Sequence, residues 1–210
     1  YMIQDYKEIE GWFGYESHYD KAIQQILERH AGRCIPTAES NWNMRMCPLN
    51  IVEIGAWLGR SSFYLVDKLN LLGGLGEMNI YIVDTWLGSK SEIDTHHAIA
   101  KEVNLYVDFM RNMQKLHGRF TPVRAESVEA AAIFENGSID YVFIDGEHTY
   151  EAVKADIEAW LPKLSNIGII AGHDYDSHWP GVIKAVHEKF GNEVKVEGDV
   201  WIIENPQKWQ

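Results

Sequence analysis

The stretch Asn50-Ile-Val-Glu-Ile-Gly-Ala-Trp-Leu-Gly-Arg-Ser-Ser62 predicts a buried strand that turns sharply into a helix. Residues 51–54 are β-branched except for one acid, and apolar residues then recur at helical spacing. Gly55 and Gly59 bracket the turn, and glycine is favoured where the backbone needs a positive φ or comes close to a ligand. Two explanations follow, a ligand on this turn or close packing between the strand and the helix.

An acid at the end of the next strand favours a ligand that carries a ribose. Residues 79–83 form the second strand candidate, and Asp84 ends it. An acid in this position of dinucleotide-binding folds accepts hydrogen bonds from ribose hydroxyls. A solvated loop aspartate is the alternative, but the turn and Asp84 together favour a ribose-bearing cofactor.

The spacing of the glycines separates two classes of cofactor. A nicotinamide dinucleotide carries a pyrophosphate that binds at the helix N-terminus, and a third glycine usually allows the helix to come close enough. Here the pattern is Gly55-x-x-x-Gly59, and the bulky Arg60 follows it. This pattern suits a cofactor without phosphates better.

From Asn50 onward, strand and helix signals alternate, which is typical of a parallel sheet with helices on both faces. The strand candidates are 51–54, 79–83, 121–124, 139–144, 167–171, 193–196 and 200–204, and the helices include 94–116, 128–134, 150–161 and 181–190. Glu197-Gly198-Asp199 predicts a hairpin between the last two strands. We therefore predict an α/β fold with a doubly wound, mostly parallel, seven-stranded Rossmann-like sheet and an antiparallel terminal strand.

Residues 1–49 precede the first core strand and are interpreted as a helical and loop appendage to a domain that spans 50–210. Apolar residues at positions 19, 22, 23, 26 and 27 predict an amphipathic helix that ends near Gly32. Residues 34–48 predict a loop or a small hairpin. The aromatic residues Trp12, Phe13 and Tyr15 suggest core packing or a lid over the cofactor.

The charge balance excludes some classes of partner. The chain has 31 acids against 19 Lys and Arg, a formal net charge of −12. Such a surface repels phosphate backbones and anionic membranes, so we expect neither nucleic acid nor a membrane as a partner. We see no leader and no membrane-spanning apolar run, and we interpret Cys34 and Cys47 as free thiols rather than a single bridge. We therefore expect a cytoplasmic protein.

Polar clusters follow two of the predicted strands. One strand ends in Asp145-Gly-Glu-His148 and the next in Gly172-His-Asp-Tyr-Asp176. Ligands of open α/β sheets gather beyond the carboxyl ends of the strands, near the point where the strand order reverses. We therefore expect Asp145, His148, His173 and Asp174 to converge there.

Two chemical roles are open to this cluster. Asp145, Asp174 and His173 could hold a divalent ion that polarises a substrate hydroxyl, and His148 could remove the hydroxyl proton. The alternative is that these residues only cap helices and make structural hydrogen bonds. Glu126 could reach an adenine ring together with Ser127, or the two could simply start the next helix.

Five motifs in this order resemble class I S-adenosylmethionine-dependent methyltransferases. The motifs are Val-Glu-Ile-Gly-x-x-x-Gly-Arg-Ser at 52–61, Val-Asp-Thr-Trp at 83–86, Phe-Ile-Asp-Gly-x-His-x-Tyr at 143–150, Gly-His-Asp-Tyr at 172–175 and Pro-Gly-Val-x-x-Ala-Val at 180–186. More narrowly, the chain resembles the branch of metal-dependent O-methyltransferases that act on sugar hydroxyls of macrolides, and more distantly catechol-type enzymes. The resemblance covers the chain from about residue 11 to residue 186.

The resemblance implies a role for each part of the predicted site. The glycine turn, which includes Gly59, would hold the methionine end of the cofactor through Glu53, Gly55, Ala56 and Ser61. Asp84 would hold the ribose, and Glu126 and Ser127 would flank adenine.

The resemblance also bears on the metal. Asp145 and His148 match a metal ligand and a base of the macrolide enzymes. Their next ligands are an adjacent Glu-Asp pair, where this chain has His173-Asp174. Imidazole suits manganese, iron or zinc better than magnesium, which prefers oxygen, so the presence and identity of a divalent metal (Mg, Mn, Fe or Zn) stay open.

The residues and the resemblance together predict S-adenosylmethionine-dependent methyl transfer to a hydroxyl of a small molecule or sugar. The acceptor oxygen would displace the methyl group in line while His148 takes the proton. The alternatives are a non-catalytic cofactor-binding or assembly protein on the same fold, a nicotinamide-dependent oxidoreductase, and methyl transfer to nitrogen or carbon. Homo-oligomers are expected from the resemblance alone.

Overall fold

The computed structural model describes residues 2–33, 48–72, 78–88 and 104–210. The helices in these ranges are α1 (Glu16–Arg33), α2 (Arg60–Leu71), α3 (Leu105–Asn112), α4 (Ser127–Ala131), α5 (Tyr150–Trp160) and α6 (Pro180–Phe190). The strands are β1 (Leu49–Ile54), β2 (Met78–Asp84), β3 (Thr121–Arg124), β4 (Ile139–Ile144), β5 (Leu164–Gly172), β6 (Lys195–Glu197) and β7 (Val200–Ile203).

The strands form one sheet in the order β3-β2-β1-β4-β5-β7-β6. Neighbouring strands from β3 to β5 are parallel, whereas β7 is antiparallel to both β5 and β6. The predicted mostly parallel sheet with an antiparallel terminal strand is therefore confirmed, and the reversed strand lies one position inside the edge. The β6–β7 hairpin turns at Gly198, where φ is 65°.

Several element boundaries differ from those predicted. Strand β5 is longer than expected, and β6 begins at Lys195 because a 3-10 turn, Gly191–Glu193, follows α6. Helix α4 ends at Ala131, three residues early. The helix predicted at 94–116 is described only from residue 104, and there α3 gives way to a 3-10 turn at Gln114–Leu116.

Hydrophobic clusters cover both faces of the sheet. Side chains of a strand point alternately to its two faces, so Ile51 joins the cluster beneath α1, α2 and α3, and Val52 joins the cluster beneath α4, α5 and α6. Tyr19 and Ile26 of α1 are fully buried in the first cluster, so α1 shares the core of the sheet. The division of the chain at residue 50 stays a prediction, and Cys34 and Cys47 lie outside the described residues.

The strand order reverses between β1 and β4. The chain moves from β1 outward through β2 to β3, and then from β4 outward through β5. The crossovers on the two sides diverge at this point, which leaves a crevice at the carboxyl ends of β1 and β4. Among the described residues, no helix has the length and apolar character needed to cross a membrane.

Candidate active site

A cavity of about 1120 Å³ opens at this crevice. Its walls come from the N-terminal segment and from the residues that follow β1, β2, β3, β4 and β5. They include Gly11, Trp12, Gly55, Ala56, Ser61, Asp84, Glu126, Ser127, Asp145, His148, Asp156, His173, Asp174 and Trp179. The volume and the position are those of a ligand site in an open α/β sheet.

Both glycines of the turn are required by their surroundings. Gly55 has a φ of 87°, and a Cβ atom there would lie 1.8 Å from the carbonyl oxygen of Asp145. The end of β1 therefore packs directly against the end of β4. Gly59 has a φ of 92°, and its Cβ would lie 2.9 Å from the ring of Phe109. Gly59 is not among the cavity-lining residues, so its predicted contact with a cofactor stays a prediction.

Asp84 holds the glycine turn and also lines the cavity. Its Oδ2 accepts hydrogen bonds from the backbone N–H groups of Ala56 at 2.7 Å and Trp57 at 3.0 Å, and its Oδ1 accepts one from Trp86 at 2.6 Å. Burial raises the pKa of Asp84, and these backbone donors partly offset the effect. The carboxylate thus fixes the shape of the turn at the place predicted for the ribose.

Glu53 lies beneath the turn and is not among the cavity-lining residues. The Tyr19 hydroxyl donates to its Oε1 at 2.8 Å, and the Ser62 hydroxyl donates to its Oε2. Ser61 does line the cavity. Burial raises the pKa of Glu53 to about 7, and the hydrogen bonds from serine and Tyr19 oppose that rise. The predicted contact of Glu53 with a cofactor stays a prediction.

The buried carboxyl of Glu53 predicts a loss of stability as pH rises. Its pKa is about 7 in the folded state against an ordinary value of 4.5. As pH rises, the folded state therefore keeps the proton at pH values where the unfolded state has lost it, and the free energy of unfolding falls between about pH 5 and pH 7. We expect Glu53→Gln to remove roughly 3 kcal/mol of this pH dependence. Urea unfolding at pH 5 and pH 8 measures the change in the free energy of unfolding between the two pH values, and the exposed Glu135→Gln is the control. Equal pH dependence in Glu53→Gln and the wild type would contradict the assignment.

Four polar side chains meet beyond β4 and β5. His148 Nε2 lies 2.8 Å from Asp174 Oδ2 and 3.8 Å from Asp145 Oδ1. His173 Nδ1 lies 3.4 Å from Asp145 Oδ1 and 3.3 Å from Asp174 Oδ1, and its Nε2 lies 3.1 Å from Asp199 Oδ2. The strand exits therefore bring the four side chains together, as the sequence led us to expect.

The cluster is balanced in charge. Burial on its own lowers the pKa of each imidazole, but Asp145 and Asp174 raise the pKa of His148 to about 10 and that of His173 to about 11. Burial raises the pKa of each carboxylate, and the two histidines more than reverse this for both Asp145 and Asp174. The two carboxylates thus favour the protonated form of both imidazoles. A role for His148 as a base therefore requires something that lowers its pKa.

The donor set fits a divalent metal ion. Asp145, His148 and Asp174 each offer one ligand atom, and these atoms lie within 4.8 Å of one another. The set predicted from the sequence contained His173 in place of His148, and here the far nitrogen of His173 faces Asp199. Mixed carboxylate and imidazole ligands suit manganese, iron or zinc. The assignment of His148 as base and His173 as ligand stays a prediction.

Backbone strain gathers around the cavity. Within the described ranges, the non-glycine residues with positive φ are Trp57 at 50°, Trp86 at 51° and Asp174 at 60°. Trp57 and Asp174 line the cavity, and the Trp86 N–H is the one bound by Asp84. Such conformations cost of order 1–3 kcal/mol each and cluster at functional sites.

The sequence did not reveal three aromatic contacts of the cluster. The Tyr15 hydroxyl donates to Asp145 Oδ2 at 2.7 Å across 130 residues of chain, and its ring lies 4.7 Å from that of His173. The Trp179 ring packs against that of His148, with centroids 4.3 Å apart and an interplanar angle of 41°. The sequence suggested that Trp12 and Tyr15 pack in the core or form a lid. Tyr15 is buried, whereas Trp12 is 66% exposed and lines the cavity.

Glu126 and Ser127 lie at the other end of the cavity, at the start of α4. Glu126 is the N-cap residue of α4 and its side chain makes no capping hydrogen bond, whereas Ser127 Oγ accepts a hydrogen bond from the indole N–H of Trp160 at 2.8 Å. The predicted contact of these two residues with adenine stays a prediction.

A protein-family model described as a methyltransferase domain matches residues 52–175. The uncharacterized protein y4gI of Sinorhizobium fredii (strain NBRC 101917 / NGR234) is 34% identical over 131 residues, which cover 60% of this chain. The chain spans 13% of the length of that curated relative.

Solved structures agree on the fold. The O-methyltransferase NovP is 15% identical and superposes with a TM-score of 0.63, over 90% of this chain and 79% of that one. The apo structure of CalS11, a TDP-rhamnose 3'-O-methyltransferase of calicheamicin biosynthesis, is 19% identical with a TM-score of 0.57, over 90% of this chain and 77% of that one. At these identities the similarity establishes the fold alone.

Proposed function

The chain belongs to the methyltransferase-domain family, and from this premise we propose that it transfers the methyl group of S-adenosylmethionine to a hydroxyl of a small molecule or sugar. One observation carries the proposal. A single cavity is lined by a turn fixed by Asp84 and, beyond the neighbouring strands, by the cluster of Asp145, His148 and Asp174. The first suits a nucleoside cofactor and the second suits activation of a hydroxyl.

The cofactor lies across the crevice, with its methionine end on the turn at Gly55, Ala56 and Ser61 and its ribose on Asp84. The Asp84 Oδ2 already accepts two backbone hydrogen bonds, whereas Oδ1 accepts the one from Trp86 and keeps a lone pair for a hydroxyl. A neutral ribose is the ligand that such a carboxylate accepts. An acid in this position also serves dinucleotides, so the support for a cofactor without phosphates comes from the Gly55-x-x-x-Gly59 spacing followed by Arg60.

His148 is the proposed acceptor of the hydroxyl proton, and it is held in place by Asp174 and by the ring of Trp179. A divalent ion held by Asp145 and Asp174 would acidify the acceptor hydroxyl and offset the carboxylates that raise the pKa of His148. The deprotonated oxygen attacks the methyl carbon, the carbon–sulfur bond breaks, and the sulfonium becomes a neutral thioether. S-adenosylhomocysteine is the second product.

The acceptor lies between the N-terminal segment and the catalytic cluster. Trp12 and Trp179 give the cavity aromatic walls, and amphipathic rings of this kind pack against the apolar faces of sugars and planar compounds. Similarity to CalS11, whose acceptor by its description is a rhamnose hydroxyl, supports a sugar among the candidate acceptors. The net charge of −12 supports the proposal that nucleic acids and anionic membranes are not partners, and we propose a cytoplasmic protein that self-associates.

Ligand binding and turnover test the proposed function. S-adenosylhomocysteine at a hundred times its Kd is expected to stabilise the fold by about 2.7 kcal/mol, and NAD is expected to have no effect, in a thermal-shift comparison with and without Mg²⁺, Mn²⁺ or Zn²⁺. Methyl transfer is then assayed with a panel of glycosides and phenols. Stabilisation by NAD alone would indicate an oxidoreductase. Tight cofactor binding without turnover on any hydroxyl would indicate a binding protein.

A further inference from the structure

Asp156 is a buried carboxylate that the proposed reaction does not use. Asp156 lies on α5, is 5% exposed and lines the cavity. It is seven residues beyond Thr149, the N-cap of α5, which corresponds to about 10 Å along the helix. Asp156 is therefore well separated from the catalytic cluster and faces the end of the cavity that Ser127 lines.

The carboxylate of Asp156 forms no ion pair with any basic residue in the described part of the chain. Among the described residues, no Lys, Arg or His nitrogen lies within 4.0 Å of it. Burial raises its pKa to about 6, the Ser127 hydroxyl lowers it by hydrogen bonding, and the nearby charge of Glu126 raises it further. A buried carboxylate in this state is stabilised by any ligand that brings a hydrogen-bond donor.

The surrounding wall suits a flat, largely apolar ring. It combines the small or branched side chains of Ala125, Val128, Ala152 and Ala155 with the polar group of Asp156. Ser127, the hydrogen-bonded neighbour of Asp156, is oriented by the indole of Trp160, which lies one turn beyond Asp156 on the same helix. The compartment thus offers apolar surface for stacking and a single buried, ionisable acceptor.

We propose that Asp156 accepts a hydrogen bond from the exocyclic amino group of the cofactor's adenine and so selects an amino-bearing purine. This inference rests on the proposed function, because it requires a nucleoside in the cavity. It adds a recognition residue on α5 to the expected contacts at the start of α4. The carboxylate is the acceptor, and the purine amino group is the donor.

Binding of two ligands that differ in one group tests the inference. The ligands are S-adenosylhomocysteine and its 6-deamino analogue, in which hydrogen replaces the amino group. Isothermal titration calorimetry at pH 8 is expected to give a preference of about 10-fold to 100-fold for the amino ligand in the wild type, since a hydrogen bond to a charged group is lost. Asp156→Ala is expected to bring the preference within about threefold. Asp156→Asn, whose amide oxygen still accepts, is expected to keep an intermediate preference.

The control is Glu158→Gln, which removes a charge from an exposed position of the same helix and is expected to keep the wild-type preference. The ratio of the two affinities does not depend on the fraction of folded protein, so a loss of stability in Asp156→Ala does not obscure the result. Equal binding of both ligands by the wild type, or an unchanged preference in Asp156→Ala, would overturn the inference and leave the proposed function intact. Binding of neither ligand by the wild type would overturn both.

Discussion

Asp84→Ala is expected to weaken the binding of S-adenosylhomocysteine by at least about 100-fold. The substitution removes the acceptor proposed for the ribose hydroxyls, and hydrogen bonds to a charged group contribute roughly 1.5–3 kcal/mol each. It also releases the N–H groups of Ala56, Trp57 and Trp86, which hold the turn in shape. Calorimetric titration of the folded variant measures the loss. Asp84→Asn keeps one acceptor oxygen and is expected to lose less.

Stability has to be separated from binding in this experiment. The thermal unfolding midpoint of each variant is measured without ligand, and titrations are made well below it. Asp20→Asn, an exposed substitution on α1, serves as the control and is expected to bind as the wild type does. A folded Asp84→Ala variant that binds S-adenosylhomocysteine within threefold of the wild type would refute the ribose assignment.

His148→Gln is expected to lower kcat for methyl transfer by about 100-fold to 10,000-fold, the usual contribution of a general base. The Kd for S-adenosylhomocysteine is expected to stay within about threefold, because His148 is placed beside the acceptor and away from Asp84. The measurement is initial-rate formation of S-adenosylhomocysteine with an acceptor from the panel described above. The matched control is His178→Gln, because the side chain of His178 is 86% exposed.

A metal titration separates the two roles open to His148. If it acts as the base, the rate of His148→Gln stays low at saturating Mn²⁺. If it acts as a ligand, the variant needs more metal and recovers its rate when metal is in excess. A His148→Gln variant with the wild-type kcat at ordinary metal concentration would remove His148 from the reaction altogether.

The sheet was predictable because its signals are local. Strands β3 and β4 have the predicted limits, since alternation and β-branched runs mark them within a few residues. The reversal of β7 also followed from a local signal, the glycine at position 198. The ends of α4 and β6 were less predictable, because a 3-10 turn and a helix end differ by single hydrogen bonds that sequence patterns do not encode.

The candidate site was predictable only as far as strand exits determine it. Asp84, Asp145 and Asp174 follow apolar strands, so the order of the sheet alone brings them to one crevice. Tyr15 and Asp156 carry no such mark, since Tyr15 reaches Asp145 from the segment before α1 and Asp156 reaches the cavity from α5. Side-chain direction at such positions depends on tertiary packing. Glu53 is a further example, because it matches the motif at 52–61 but its side chain is buried in the core.

The segment before α1 and the first turn of that helix also contribute to the cavity. Gly11 and Trp12 form part of its wall, Tyr15 bonds a candidate metal ligand, and Tyr19 bonds the acid beneath the turn. A chimera that takes residues 2–26 from a relative would therefore replace part of the cavity wall together with the two tyrosines that bond Asp145 and Glu53. In this chain, exchange of that segment would change the cavity wall and the contacts of Asp145 and Glu53 in one step.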